Sequence, residues 1–284
     1  MIYLYILILL VLLLVLFFRK AIRGFKNPER PHDITPADHG IPFEELRIPT
    51  RNNKNLYGWF IRENRQAPTI ILVHGWGRNA GRTMPYIRAL HKQGFNLLAF
   101  DARHHGSSDR DDFSTMKKFA EDIVAVLDFL DQSELTDNRT YGILGLSIGG
   151  SAAIYASSHD SRISRVVTVG ALADPLEIMK KQMTEHHVPY IPLGYLVLEY
   201  LQRSIKLRFS DIAPEKFISR SGAAFLLIHG EQDQTIPVSH AKRLHEASQK
   251  ENTQLWLIKG KGHSDCHHEP DFWPRIIQFM SLFK

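Results

Sequence analysis

Six short apolar runs punctuate the chain: TIILVHG (69–75), NLLAFDA (96–102), YGILGLS (141–147), RVVTVG (165–170), AFLLIHG (224–230) and LWLIKG (255–260). Each is bounded by glycine or polar residues. Runs of this length suit strands buried on both faces, as in a parallel sheet. Between them the pattern turns helical. TMPYIRALHKQG (83–94) ends in a capping glycine, and STMKKFAEDIVAVLDFLDQ (114–132) is amphipathic and opens with a capping serine. SIGGSAAIYASS (147–158) is rich in small residues, while SHAKRLHEASQK (239–250) and EPDFWPRIIQFMSLF (269–283) are the last two helical stretches. Ahead of all this, EELRIPT (44–50) and NLYGWFIRE (55–63) flank RNNK, which predicts a hairpin. Strands alternating with helices predict a doubly wound α/β domain, with the hairpin extending one edge.

One stretch breaks the alternation. From Ala171 to about Gly222 no clear strand occurs, but helix-like segments such as PLGYLVLEYLQRSI do. An excursion of this length between two core strands reads as a cap or lid. Its apolar residues either pack down on a pocket, the reading we prefer, or form a lipid-facing entrance.

The first eighteen residues, MIYLYILILLVLLLVLFF, carry no charge. As a helix they would span roughly 27 Å, close to the bilayer hydrocarbon thickness. A core helix would show a polar face, and a signal peptide would carry its charges first and a small-residue cleavage site after. Neither pattern is present, so residues 1–20 are expected to be a transmembrane anchor, with Tyr3 and Tyr5 suited to an interface. Residues 21–40 then form a basic, Pro-rich linker, and 41–284 the folded domain, with the cap at 171–222.

Charge changes this picture only at the N-terminus. The formal net charge is +5, but Arg19, Lys20, Arg23, Lys26 and Arg30 stand against Glu29 alone in the first thirty residues. The remainder is nearly neutral, which argues against a nucleic-acid-binding face. Positive charge after the apolar run places the domain on the cytoplasmic side of the membrane. With Cys266 the only cysteine, no intramolecular disulfide can form. Oligomeric state is not legible.

In a parallel α/β sheet, ligands bind beyond the carboxyl ends of the strands, so the candidate chemistry is sought there. YGILGLSIGG runs from strand into helix with Ser147 at the junction, the setting of a nucleophile elbow. Gly145 and Gly149 relieve crowding beside it. A serine needs a base, and LWLIKGKGHSD supplies His263 in a loop that Gly260 and Gly262 let turn back over the sheet. The base needs an acid to hold its tautomer. Asp233 in IHGEQDQTIP is the candidate, with Glu231 and Asp174 as competitors. Backbone N–H groups of Ile148 and Trp76 are the expected oxyanion donors. HSDCHHEP groups His263, Asp265, Cys266, His267 and His268, but adjacent histidines diverge and no second cluster has ligand spacing. No metal or other cofactor is therefore expected.

LVHGWG, FDARHHGSSD, GLSIGG, IHGEQDQTIP and GKGH, in this order, resemble the α/β-hydrolase superfamily over roughly residues 40–284. The likeness is to serine esterases, monoacylglycerol-lipase-like enzymes and the serine aminopeptidase-like group. It implies the α/β-hydrolase fold, with a mostly parallel eight-stranded sheet, flanking helices and a helical cap. It also implies a triad of Ser147, Asp233 and His263, with Trp76 and Ile148 as the oxyanion hole. The pattern departs at His104, where relatives commonly have glycine, which leaves the pocket rim near Arg103 and His104 open. The expected function is a membrane-anchored serine hydrolase acting on a small-molecule carboxylic ester, with the anchor and the apolar cap suggesting a lipid-like substrate. Peptidase, thioesterase and acyltransferase activities would use the same triad, and a non-catalytic tethered binding protein is the reading from another class. An aspartate would be needed at Ser147 for dehalogenase chemistry.

Overall fold

All six apolar runs and the hairpin become strands of one sheet. The computed structural model describes residues 30–283 together with positions 2, 3, 5, 6, 8, 9, 12 and 16. The strands are β1 (Glu44–Thr50), β2 (Lys54–Ile61), β3 (Thr69–Val73), β4 (Asn96–Phe100), β5 (Tyr141–Leu146), β6 (Ile163–Val169), β7 (Ala224–Gly230) and β8 (Thr253–Ile258). Their order across the sheet is β1-β2-β4-β3-β5-β6-β7-β8. β1–β2 and β2–β4 pair antiparallel, and every other neighbour is parallel. Burial follows position. β3, β4 and β5 are buried at every residue, whereas the edge strands β1 and β8 expose part of theirs. That explains why the central strands read as unbroken apolar runs.

Helices cover both faces. On one side α2 (Met116–Gln132) and α3 (Ile148–Ser157) pack Phe119, Ile123, Leu127 and Ile154 against Ile71, Ile143 and Val166. On the other, α1 (Met84–Leu90) and α7 (Phe272–Met280) pack Ile87, Phe272 and Ile276 against Ile70, Leu72 and Leu144. The hairpin turns through Arg51–Asn53, where Asn52 and Asn53 take positive φ (61° and 53°).

Two helix boundaries differ from expectation. Helix α2 is capped by Thr115, whose side chain accepts from the Lys118 N–H at 3.2 Å, and not by Ser114. The Ser114 hydroxyl is buried instead. Helix α1 ends at Leu90, before the left-handed residues Lys92 and Gly94.

Between β6 and β7 lie α4 (Pro175–Glu185), α5 (Tyr195–Ser204) and a series of short turns. This insertion has its own small core of Val197, Leu198, Leu201, Ile205 and Phe209, against which Met179 and Met183 pack. Arg243, on α6 (Ser239–Ala247), ties it down by ion pairs to Glu177 and, at 2.6 Å, Glu215. Ahead of the sheet, the His32 ring sits 4.8 Å from that of Trp59 and its Nε2 lies 3.1 Å from Asp101 Oδ1. Among the described residues, no helix is long and apolar enough to cross a membrane. The anchor expected at 1–20 falls largely on positions outside the described set.

Arg103 proves to be structural. It is buried beside α2, where its Nε donates to Asp122 Oδ1 at 2.6 Å and its Nη2 to Glu121 Oε2 at 2.6 Å. Asp122 also accepts from the Arg103 N–H at 2.8 Å and the Thr50 hydroxyl at 2.9 Å. The cluster joins the β4 loop, α2 and the hairpin. Next to it His104 has φ 67°, a conformation that suits glycine, the residue that the resemblance leads one to expect there. Asp122→Ala should lower the unfolding free energy by about 3 kcal/mol, because it leaves a buried guanidinium short of its main partner. Urea unfolding measures this, and a loss under about 1 kcal/mol would refute the structural role.

Candidate active site

Strand β5 delivers Ser147 at its carboxyl end. The residue has φ 54° and ψ −122°, outside the regions open to unstrained non-glycine residues. The turn is tight enough to exclude side chains nearby. A Cβ on Gly145 would lie 2.5 Å from the Gly149 carbonyl carbon, and one on Gly149 would lie 2.5 Å from the His74 carbonyl oxygen. Helix α3 therefore starts in contact with the ends of both β5 and β3. The Ser147 N–H donates to Val169 O at 2.8 Å, which fastens the elbow to β6.

The loop carrying His263 crosses directly over the end of β7. A Cβ on Gly230 would sit 2.3 Å from Lys261 O, and the Gln232 N–H donates to that same oxygen at 2.8 Å. His263 Nδ1 lies 2.6 Å from Asp233 Oδ2. The other carboxylate oxygen, Oδ1, accepts from the N–H groups of Thr235 (2.9 Å) and Ile236 (2.8 Å). Asp233 thus shapes its own turn with one oxygen and holds the histidine with the other.

Burial alone would raise the Asp233 pKa. Hydrogen bonds from His229 and His263 and from the Ile236 N–H outweigh it, and the carboxyl is held well below its ordinary range. An ionised Asp233 can only accept, so the proton between the pair belongs on His263 Nδ1. That leaves Nε2 with a lone pair. Linkage has a definite sign here: the stability this depression contributes is present above the unfolded carboxyl pKa of roughly 4, and is lost as pH falls through the folded value.

Of the two competitors, Asp174 caps α4 by accepting from the Leu176 N–H at 2.8 Å, and Glu231 is exposed. His229 was not singled out by sequence. It is buried, with Nε2 2.8 Å from Ile236 O and 3.3 Å from Asp233 Oδ2. Its spacing of four residues before Asp233 was the available signal.

Ser147, Ile148, Trp76 and His263 line one cavity of about 770 Å³. The structure records no direct hydrogen bond between Ser147 and His263; such bonds commonly tighten only with substrate bound. Ile148 is the first residue of α3, where helix geometry leaves the N–H without an intrahelical acceptor. The Trp76 amide is oriented through its neighbour. Burial lowers the pKa of His74, whose neutral ring accepts from the Ala102 N–H at Nε2 (3.0 Å). Its Nδ1–H then donates to Gly75 O at 2.7 Å. In a planar trans peptide the Trp76 N–H points the opposite way, away from His74.

Residues from the insertion, among them Met179, Met183, Val197, Leu201 and Phe209, form much of the cavity wall. Among the described residues no aspartate or glutamate lines it, and Arg103 and His104 do not reach it. Cys266 lines it too, but burial and the nearby Asp265 and Asp233 push its thiol up to about 12. It stays protonated and is a poor nucleophile. Among the described residues no cluster of three or more His, Cys, Asp or Glu could hold a metal ion.

A family model described as "Serine aminopeptidase, S33" matches residues 64–215. An uncharacterized membrane protein of Saccharomyces cerevisiae, YNL320W, is 22% identical over 252 residues, which cover 88% of this chain and 84% of the yeast protein. The alpha/beta hydrolase domain-containing protein WAV2 of Arabidopsis thaliana is 23% identical over 266 residues, covering 89% and 83%. Among solved structures, the esterase Pf2001 of Pyrococcus furiosus superposes with a TM-score of 0.73 at 25% identity, over 90% of this chain and 98% of that one.

Gly170, at the end of β6, is a positioning residue that the sequence did not reveal. It has φ 67°, and a Cβ there would lie 3.0 Å from His263 Cε1 and 3.1 Å from Nδ1. Gly170→Ala should displace the imidazole and slow the labelling of Ser147 by a fluorophosphonate at least about tenfold, since small misplacements of a base are costly. Backbone strain accounts for only about 1 kcal/mol of stability. Unchanged labelling would show that the ring tolerates the displacement.

Proposed function

The chain belongs to the α/β-hydrolase family described as serine aminopeptidase, S33, and on that premise we propose that it is a serine hydrolase of carboxylic esters. The single observation that carries the reading is the 2.6 Å bond between His263 and an ionised Asp233, made on the cavity that holds the strained Ser147. His263 Nε2 takes the proton of the Ser147 hydroxyl as its oxygen attacks the ester carbonyl. The carbonyl oxygen becomes an oxyanion facing the N–H groups of Ile148 and Trp76, and each such donor is worth roughly 10²–10³ in rate. Collapse breaks the bond to the alcohol, which leaves with the proton held by His263. Water, deprotonated by the same nitrogen, then attacks the acyl-serine and releases the acid.

The family description raises an aminopeptidase as the second reading. Such an enzyme needs a negative partner for the substrate's ammonium group, and the cavity wall offers no carboxylate among the described residues. The apolar wall supplied by the insertion suits an acyl chain instead. Thioesterase and acyltransferase chemistry would use the same residues. We further propose that the uncharged first eighteen residues anchor the protein in a membrane, with the domain on the cytoplasmic side and a lipid-like substrate at hand.

A fluorophosphonate should label the protein at Ser147, and Ser147→Ala should abolish both labelling and the hydrolysis of p-nitrophenyl octanoate, by at least about a thousandfold in kcat. Labelling that survives the substitution would overturn the assignment, and aminoacyl p-nitroanilides cleaved as well as the ester would favour the peptidase. Removing residues 1–20 should move the protein from the membrane pellet to the supernatant; a truncated protein still recovered in the pellet and resistant to salt would contradict the anchor.

A further inference from the structure

The cavity wall carries charge of one sign only. Among the described residues its formally charged side chains are Arg78 and Arg82, both from the loop after β3. Neither makes an ion pair with a carboxylate among the described residues, and the hydrogen bond of Arg82 is a long one, 3.4 Å from Nη2 to Ser264 O. Nearby carboxylates are already engaged. Asp101 accepts from the Ala80 and Ser107 N–H groups (2.7 and 2.8 Å) and faces His32, and Asp265 accepts from the Gly262 N–H at 2.6 Å.

The segment that bears the arginines is pinned. The Asn79 side chain accepts from the Gly81 N–H (3.1 Å) and donates to Arg30 O (3.1 Å) and Pro31 O (2.9 Å), so Arg78 and Arg82 flank a fastened turn. Near them the wall is polar, with Ser264 and His267 from the loop after β8, whereas the insertion contributes mostly apolar residues, with Gln182 and His186 as its polar members. Two guanidinium groups with no carboxylate partner among the described residues, on a fixed turn beside Ser147 and a mostly apolar compartment, suit an anion attached to a chain.

We propose that Arg78 and Arg82 bind an oxyanion, a phosphate or carboxylate, on the alcohol portion of the ester. The substrate is then an anionic amphiphile whose acyl chain enters the insertion and whose charged head stays with the arginines. This deepens the ester-hydrolase reading and rests on it. Attraction to the head orients the ester carbonyl at Ser147 and disfavours substrates with a cationic leaving group.

The test measures binding by calorimetry, on the full chain in nonionic detergent. The probes are 1-O-octylglycerol 3-phosphate, uncharged 1-O-octylglycerol and inorganic phosphate alone. Neither ether can be hydrolysed, so the result does not depend on turnover. The phosphorylated ether should bind at least about tenfold more tightly than the uncharged one, the effect of one charge-assisted hydrogen bond. In R78Q/R82Q with an unchanged unfolding midpoint, the ratio should fall toward one. Should that variant misfold, 0.5 M salt added to the unsubstituted protein should narrow the ratio, since the arginines are at least partly solvated. Equal binding of the two ethers, a ratio that survives the double substitution or salt, or inorganic phosphate binding as tightly as the phosphorylated ether would each overturn the proposal. Turnover of uncharged p-nitrophenyl octanoate reads the hydrolase assignment separately: its absence with the anionic preference intact would sink that assignment and leave the anion site standing.

Discussion

The close approach of backbone to backbone at Gly145 and Gly149 is the constraint on which the rest of the site depends. With a side chain at either position, α3 could not begin where β5 ends, because a Cβ would sit 2.5 Å from the facing main chain. Contact at this point does two things at once. It forces Ser147 into a positive φ, so that its side chain stands at the carboxyl edge of the sheet. It also brings the first amide of α3 level with the end of β3, from which the Trp76 loop departs. The proposed nucleophile and oxyanion donors share one origin in the turn, and a shift in the helix would move both.

The remaining elements converge on the same edge by similarly direct contacts. The His263 loop lies on Gly230, the imidazole lies on Gly170, and Asp233 closes a turn with one oxygen while gripping the ring with the other. His229 supports Asp233 from beneath, in the interior. It helps keep the carboxylate ionised although burial opposes it. A base held this way has one tautomer available, which is what repeated proton transfer at a single nitrogen requires.

Most of the framework was legible because the central strands are buried on both faces and so write themselves as apolar runs. Ser147, Asp233 and His263 were legible because each follows such a run, and strand ends in a parallel sheet share an edge. Other features left weaker traces. Gly170 reads as one more glycine after a strand, since nothing local reveals that a ring from 93 residues further on will rest against it. His74 and His229 read as ordinary members of a histidine-rich chain, and their roles arise from partners across the sheet. The sequence leaves the rim near Arg103 open, because the motif departs from its relatives at His104. Burial against Asp122 depends on helix α2, whose facing carboxylate only the fold brings there. The Thr115 cap, one residue past the expected serine, is the usual ambiguity of adjacent hydroxyl residues at a helix start.

What distinguishes this site from its fold is the sorting of polarity along the cavity wall. The sheet edge supplies chemistry that many hydrolases share, so substrate choice rests on what borders it. Here the insertion gives mostly apolar surface, the loops after β3 and β8 give cationic and neutral polar groups, and no carboxylate intervenes among the described residues. A ligand with an apolar tail and a negative head satisfies each part of that wall, while a free amino terminus satisfies none of it. On the proposed reading the enzyme would meet such molecules at a lipid surface, where an apolar N-terminal segment followed by five cations would hold the domain close to its substrate. The polarity of the cavity and the polarity of the first thirty residues thus point to one class of molecule by separate routes.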